Sequence, residues 1–198
     1  MDNRFNKVFP SFNPLNVEFS PNSHLIDIFP SHFSFHLFIK HKDNNLVDHA
    51  NQLNNIAITA LLNHLHALII SDVSIKNNIA TSIAHIYIHN RFIIKTVHHA
   101  TNITSTKAEL FAIRCSINQA TNLPGISKII IITDSIHVIR LIFDSSIYLS
   151  QVHLAAIFKE LRKFFITNNN NLIEFWKCSS CCDWPLFKSI DNDTKWFY

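Results

Sequence analysis

The sequence predicts an α/β domain, a mixed five-stranded sheet flanked by helices. Three observations carry that prediction. Residues 79–89 and 92–99 are rich in β-branched side chains that roughly alternate, the pattern of a hairpin. Ile129, Ile130, Ile131 and Ile132 form a run that is apolar on both faces, as in a buried parallel strand. From that run onward, strands and amphipathic helices alternate along the chain, so the order reads β-β-β-α-β-α-α-β-α.

Each element has its own signal. Residues 67–72 are a short apolar run closed by Asp72, read as the first strand. The hairpin turn is placed at Asn90 and Arg91, a weaker turn pair than Asn-Gly. Thr106 with Glu109 three residues on is a capping-box pattern opening a helix, with Leu110, Ile113, Ile117 and Ala120 on one face. Asn122, Leu123, Pro124 and Gly125 terminate it. The isoleucine strand ends at Thr133, Asp134 and Ser135, and a helix follows to residue 143. A second helix over 151–166 places Leu154, Phe158, Leu161 and Phe165 on one side, with Lys159, Arg162 and Lys163 mostly away from it. A strand over 172–177 and a short helix over 185–194 close the pattern.

The first part of the chain reads differently, so the domain is placed at 65–198 and residues 1–64 are taken as an irregular leader. Pro10, Pro14, Pro21 and Pro30 interrupt every regular run, and the phenylalanines between them follow no period. This stretch is expected to lie extended on another surface, such as a domain outside this chain. A short helix is predicted near its end, over 56–66.

Composition narrows the function classes. The chain has one glycine, Gly125, in 198 residues, where average usage is about 7%. A dinucleotide-binding glycine turn, a P-loop and a glycine-rich kinase loop are therefore excluded. The formal net charge of +3 is mildly basic and is not by itself a nucleic-acid signature. No run approaches a membrane span, and the first residues lack a signal-peptide core. The expectation is an intracellular protein, cytoplasmic or nuclear and not secreted, making no membrane contact, with its four cysteines reduced.

The acids carry the functional reading. Asp72 and Asp134 close two apolar strands, and strand ends are where α/β sheets bind ligands. Two carboxylates held side by side repel unless a cation lies between them. Glu109 sits in the first turn of the helix after the hairpin, and Asp191 in the last helix, with Asp193 close by. Taken singly, each has a plain structural explanation. Asp134 suits a helix N-cap, Glu109 closes a capping box, Asp72 suits a turn and Asp191 a solvated surface. Only their joint placement points to chemistry.

The pieces Ser71-Asp72-Val73-Ser74, Thr106-Lys107-Ala108-Glu109-Leu110-Phe111-Ala112-Ile113, Ile131-Ile132-Thr133-Asp134-Ser135, and Ile173-Glu174-Phe175-Trp176 leading to Ile190-Asp191 occur in the order of a type 1 ribonuclease H domain. The chain resembles that family over about residues 65–198, and its retroelement branch associated with non-LTR reverse transcriptases in particular. The resemblance implies a ribonuclease H-like fold and an endonuclease that cuts the RNA strand of RNA–DNA hybrids. It further implies that Asp72, Glu109, Asp134 and Asp191 bind two Mg²⁺ ions, with Mn²⁺ as a substitute. Lys76, Asn77 and Asn78 would reach the hybrid backbone, and Lys159, Arg162 and Lys163 the DNA strand. A reverse transcriptase domain encoded upstream is the implied partner. Two features depart from the family pattern. Val73 replaces the usual glycine after the first acid, and residues 178–183 contain no histidine.

Two further readings stand beside the enzyme. One is a catalytically inactive nucleic-acid-binding module of the same fold. The other is a zinc-stabilised binding domain using Cys178, Cys181 and Cys182, with a second ligand pair from His85 and His89 or from His98 and His99. Against zinc, positions i and i+4 of a strand stand about 13 Å apart. Cys115 is expected to be an inert helix thiol.

Overall fold

The computed structural model describes residues 25–36, 46–143, 152–179 and 183–195. Strands are β1 (Phe33–His36), β2 (His66–Lys76), β3 (Ile79–Ile88), β4 (Arg91–Thr101), β5 (Lys128–Thr133) and β6 (Leu172–Lys177). Helices are α1 (Leu25–Ile28), α2 (Leu46–Leu62), α3 (Ser105–Thr121), α4 (Ile136–Phe143), α5 (Val152–Thr167) and α6 (Pro185–Lys195). The sheet has six strands in the order β1-β6-β5-β2-β3-β4, not five. Strands β1, β6, β5 and β2 run parallel; β3 and β4 are antiparallel additions on the β2 side.

The central strands bury both faces, which is why β5 reads as unbroken isoleucine. Ala67, Ile69, Ile129, Ile131, Ile173 and Phe175 point to one side, where α1, α3, α4 and α5 cover them. The alternating partners Leu68, Ile70, Ile130 and Ile132 point to the other, against α2, α6 and the fully buried Trp184. Each isoleucine taken wholly out of water contributes roughly 1.5–3 kcal/mol. The result is a three-layer arrangement with one core on each face of the sheet.

The sixth strand comes from the leader. Phe33 to His36 pair in parallel with Ile173 to Trp176. Phe29 and Phe33 lie 5.4 and 5.1 Å from Phe165, and Phe35 stacks on Phe175 at 6.0 Å. The surface that receives these phenylalanines is thus the domain's own helical face. Pro30 occupies the first position of a 3-10 turn, where its missing N–H costs nothing. The helix expected over 56–66 is α2, which begins ten residues earlier, at Leu46. Its buried stripe is His49, Leu53, Ala57 and Ala60. It ends where the Asn63 side chain accepts the Leu65 N–H at 2.9 Å.

Three local expectations shift. The β3–β4 turn is His89-Asn90, with φ of 46° and 58°, so β4 already starts at Arg91. Both positions need left-handed backbone, which Asn and His tolerate better than Arg does. Strand β2 does not stop at Asp72 but runs to Lys76, because β3 pairs with it along its whole length. The N-cap of α3 is Thr104, whose hydroxyl accepts the Lys107 N–H at 3.3 Å, two residues before the expected capping box.

Candidate active site

Sheet pairing explains how the acids meet. The parallel β2–β5 ladder ends at Ser71 and Thr133, so Asp72 is the first β2 residue to project past the end of β5. Asp72 continues the row of Leu68 and Ile70, and Asp134 the row of Ile130 and Ile132. Both carboxylates therefore rise on the α6 side, where the apolar floor stops. Glu109 enters from the first turns of α3 and Asp191 from α6. The structure links the four electrostatically: Asp134 and Asp191 act on Asp72, Asp134 and Asp72 act on Glu109, and Asp191 acts on Asp134.

The plain explanations for Glu109 and Asp134 are taken up by other residues. Thr104 caps α3, leaving Glu109 outside the cap. Ser135 serves the start of α4, its hydroxyl 3.4 Å from the Val138 N–H. Glu109 and Asp72 are each only 7% exposed, so neither is a solvated surface acid.

Burial and mutual repulsion set the electrostatics. Burial, followed by the Asp134 and Asp191 charges, pushes Asp72 up to about 7; the Val73 N–H and Thr194 hydroxyl oppose this. Burial also raises Glu109 to about 7, with Asp134 and Asp72 adding to it and the Ser135 hydroxyl opposing. Asp134 is raised by burial and held back by Lys177. One oxygen of Glu109, Oε2, is buried without a hydrogen-bond partner. A cluster of this kind is stable only when protonated or when it holds a cation. Its donors are all hard carboxylate oxygens, the set that suits Mg²⁺ or Mn²⁺. Among the described residues, no three His, Cys, Asp or Glu side chains already close on a common point as a ready-made metal site.

Asp191 and Asp193 separate cleanly. Asp191 acts on Asp72 and Asp134 and pairs with Lys195 at 2.5 Å on its own helix. Asp193 turns away to β3 and β4, 2.7 Å from Lys95 and 3.0 Å from His85 Nε2. Burial lowers the pKa of His85, whose ring nevertheless helps hold the Asp193 carboxyl down.

Two residues at the site were not anticipated from sequence. The Thr194 hydroxyl lies 2.8 Å from the Asp191 carbonyl and 3.4 Å from Asp72 Oδ2, its single proton shared between them. Its spacing of three from Asp191, one helical turn, was the available signal. Lys177 ends β6 beside Asp134, its ammonium donating to the Cys178 carbonyl at 2.7 Å. It is visible only once β6 is known to neighbour β5.

Of the expected nucleic-acid residues, Lys76, Asn77 and Asn78 form the exposed β2–β3 turn, with Asn77 and Asn78 at φ of 52° and 62°. Lys159, Arg162 and Lys163 are exposed on α5, Lys163 pairing with Glu160 at 3.1 Å. None of these three is among the charges that act on the carboxylates. Cys178 is buried in the α2–α6 core, donating to the Ser179 carbonyl, and Cys115 is a free thiol on α3. Cys181 and Cys182 lie outside the described residues.

A mixed sheet wrapped by helices, with four carboxylates converging at the ends of its central strands, defines an α/β domain of the ribonuclease H-like class. A family model described as reverse transcriptase-like matches residues 71–177, and the chain belongs to that family. No curated protein matches the sequence. Distant likenesses exist among solved structures. The N-terminal RNase H domain of a Mycobacterium tuberculosis protein is 15% identical, covering 57% of this chain and 86% of its own, with a TM-score of 0.44. RNase H1 of Halobacterium salinarum is 12% identical over 67% of this chain and 99% of its own, at 0.48. The protease–reverse transcriptase of prototype foamy virus is 16% identical over 65% of this chain and 20% of its own, at 0.47. Among the described residues, no helix is long and apolar enough to cross a membrane.

Proposed function

We propose that the domain hydrolyses the RNA strand of RNA–DNA hybrids using divalent cations held by Asp72, Glu109, Asp134 and Asp191. The observation that carries this reading is the convergence of four carboxylates, two of them raised to about 7, at the end of one sheet face. When bound, Mg²⁺ supplies the Lewis acidity that activates a water and eases departure of the 3′ oxygen.

The chain's own residues prepare that site. Asp72 and Glu109 release protons when a cation arrives, since ligands bind as carboxylates. Asp134, with Lys177 beside it, is held back from the full rise that burial alone would give it. Thr194 fixes the Asp72 rotamer through its bond to Oδ2. The β2–β3 turn stands about 13 Å beyond Asp72 along the strand, a reach that suits Lys76, Asn77 and Asn78 to the hybrid backbone.

The test is cleavage of an end-labelled RNA–DNA hybrid in Mg²⁺, beside Asp72→Asn and Asp134→Asn. Cutting of the RNA strand alone, abolished in both variants, is the expected result. Two departures from the family pattern favour a second reading, a silent hybrid-binding module: Val73 follows the first acid, and residues 178–183 hold no histidine. A folded wild-type protein that binds the hybrid and leaves it intact would select that reading.

A further inference from the structure

Beside α3, away from the carboxylates, lies an open cavity of about 390 Å³. That volume falls in the range of small-ligand sites. Its floor is the cross-strand pair Ser82 and His98 with Thr96, and its roof is Phe111, Cys115 and Gln119 of α3.

Three independent features of this cavity point to one ligand chemistry. Ser82 is 1% exposed, and its hydroxyl has no partner. Gln119 Oε1 is likewise buried and unpartnered, an acceptor waiting for an N–H. Buried polar atoms are rarely left unmatched without a reason. The rings of His98 and Phe111 stack at 3.8 Å and 26°, giving the cavity a flat aromatic wall.

The outer side of Phe111 is cationic. His153 meets it edge-on at 5.5 Å, and Arg114 lies 3.4 Å from His153 Nδ1. Arg114, His98 and Lys107 all press on His153 and hold its pKa down, after burial itself, and no carboxylate counters them. Neither Lys107 nor Arg114 pairs with an acid among the described residues. A flat wall with a buried acceptor and hydroxyl inside the cavity, and Arg114 and Lys107 beyond Phe111 and outside the cavity lining, together match a planar base whose phosphate projects past Phe111.

We infer that the cavity between α3 and the β3–β4 hairpin binds a nucleotide, its base against His98 and Phe111 and its phosphate at Arg114 and Lys107. The nucleotide is either free or an unpaired residue of a strand. This site is separate from the carboxylates and does not depend on hybrid cleavage.

The test is an NMR titration of the full chain in EDTA, which keeps cations off the carboxylates. The probes are adenosine monophosphate, adenosine, inorganic phosphate, and a DNA duplex with one unpaired terminal adenine. Saturable shifts at Ser82, His98 and Gln119 with the monophosphate are expected, weakened roughly tenfold by Gln119→Leu, the loss of one hydrogen bond. Ser82→Ala provides a smaller change of side chain should Gln119→Leu fail to fold. In Arg114→Gln, the monophosphate should fall to the affinity of adenosine. Tighter binding of the overhang than of the free nucleotide identifies a strand as the source; equal or weaker binding identifies the free nucleotide. No saturable shift at millimolar nucleotide, or shifts indifferent to both cavity variants, would overturn the proposal.

Discussion

Asp193 sits 2.7 Å from Lys95 and 3.0 Å from His85, and these neighbours hold its carboxyl below the usual range. Two residues earlier on the same helix, Asp191 joins Asp72, Glu109 and Asp134, where burial and repulsion push carboxyls upward. The first group closes its own charge and gains little from any added ion. The second has Lys177 beside Asp134 and Lys195 on Asp191, which among the described residues leaves Asp72 and Glu109 without a paired cation. The contrast distinguishes acids that fasten α6 to the sheet from acids kept in readiness for a cation, and it can be broken experimentally.

The largest effect should come from the ready acids. Asp72→Asn or Asp134→Asn should lower hybrid cleavage by several kcal/mol of barrier, roughly a thousandfold, with unchanged circular dichroism. Asp193→Asn should leave cleavage within a few-fold of wild type. Equal losses from Asp193 and Asp72 variants would erase the distinction.

Next in size is the floor on which the acids stand. Ile190 is fully buried between α6 and the sheet, so Ile190→Ala should cost about 2–5 kcal/mol in urea unfolding. Because it lies next to Asp191, metal-dependent cleavage should also weaken.

The third prediction concerns pH in the absence of metal. Asp72 keeps its proton up to about 7 in the fold but only to 3.8 in the open chain. Its neutral form thus contributes stability that is complete below about pH 4 and is lost as pH rises through about 7. Buried His32, His49 and His85 have lowered values and act in the opposite direction, losing stability as pH falls below 6.5. The difference between wild type and Asp72→Asn removes that background. The variant should match wild type near pH 4 and exceed it by a few kcal/mol at pH 8, measured by thermal melts in EDTA. A constant difference across that range would mean that Asp72 is not repelled as described.

Smallest is the fastened group. Lys95 and Asp193 are about one-third exposed, so Lys95→Ala should cost only about 0.5–1 kcal/mol by chemical unfolding, less at high salt.

Much of this contrast was legible in the sequence, because it follows from order and period. The isoleucine run fixed a two-sided central strand, and the acids closing the apolar runs marked its active end. What escaped notice depended on partners distant in the chain. Phe33 and Phe35 alternate with Ser34 and His36, but four residues closely following Pro30 are too short a run to stand out; they become a strand because β6 offers a free edge. Asp72 looked like a strand end because its apolar run stops there, although β3 carries the strand on to Lys76. Choosing between Asp191 and Asp193 required Lys95 and His85, which lie about a hundred residues away. Lys177 beside Asp134 likewise follows from strand adjacency and not from spacing.

The origin of β1 has a consequence for biogenesis. Phe33 is made about 140 residues before Ile173, with which it pairs. On the ribosome the phenylalanine-rich leader therefore waits, with its partner strand not yet synthesised, until almost the whole domain has emerged. Closing so long a loop is slow, which places docking of β1 among the last folding steps. Until then β6 presents a bare edge and Phe175 lacks the cover of Phe35, the surfaces through which unfinished chains join one another. Chains lacking residues 25–36 should retain the carboxylate cleft while aggregating more readily than the whole protein.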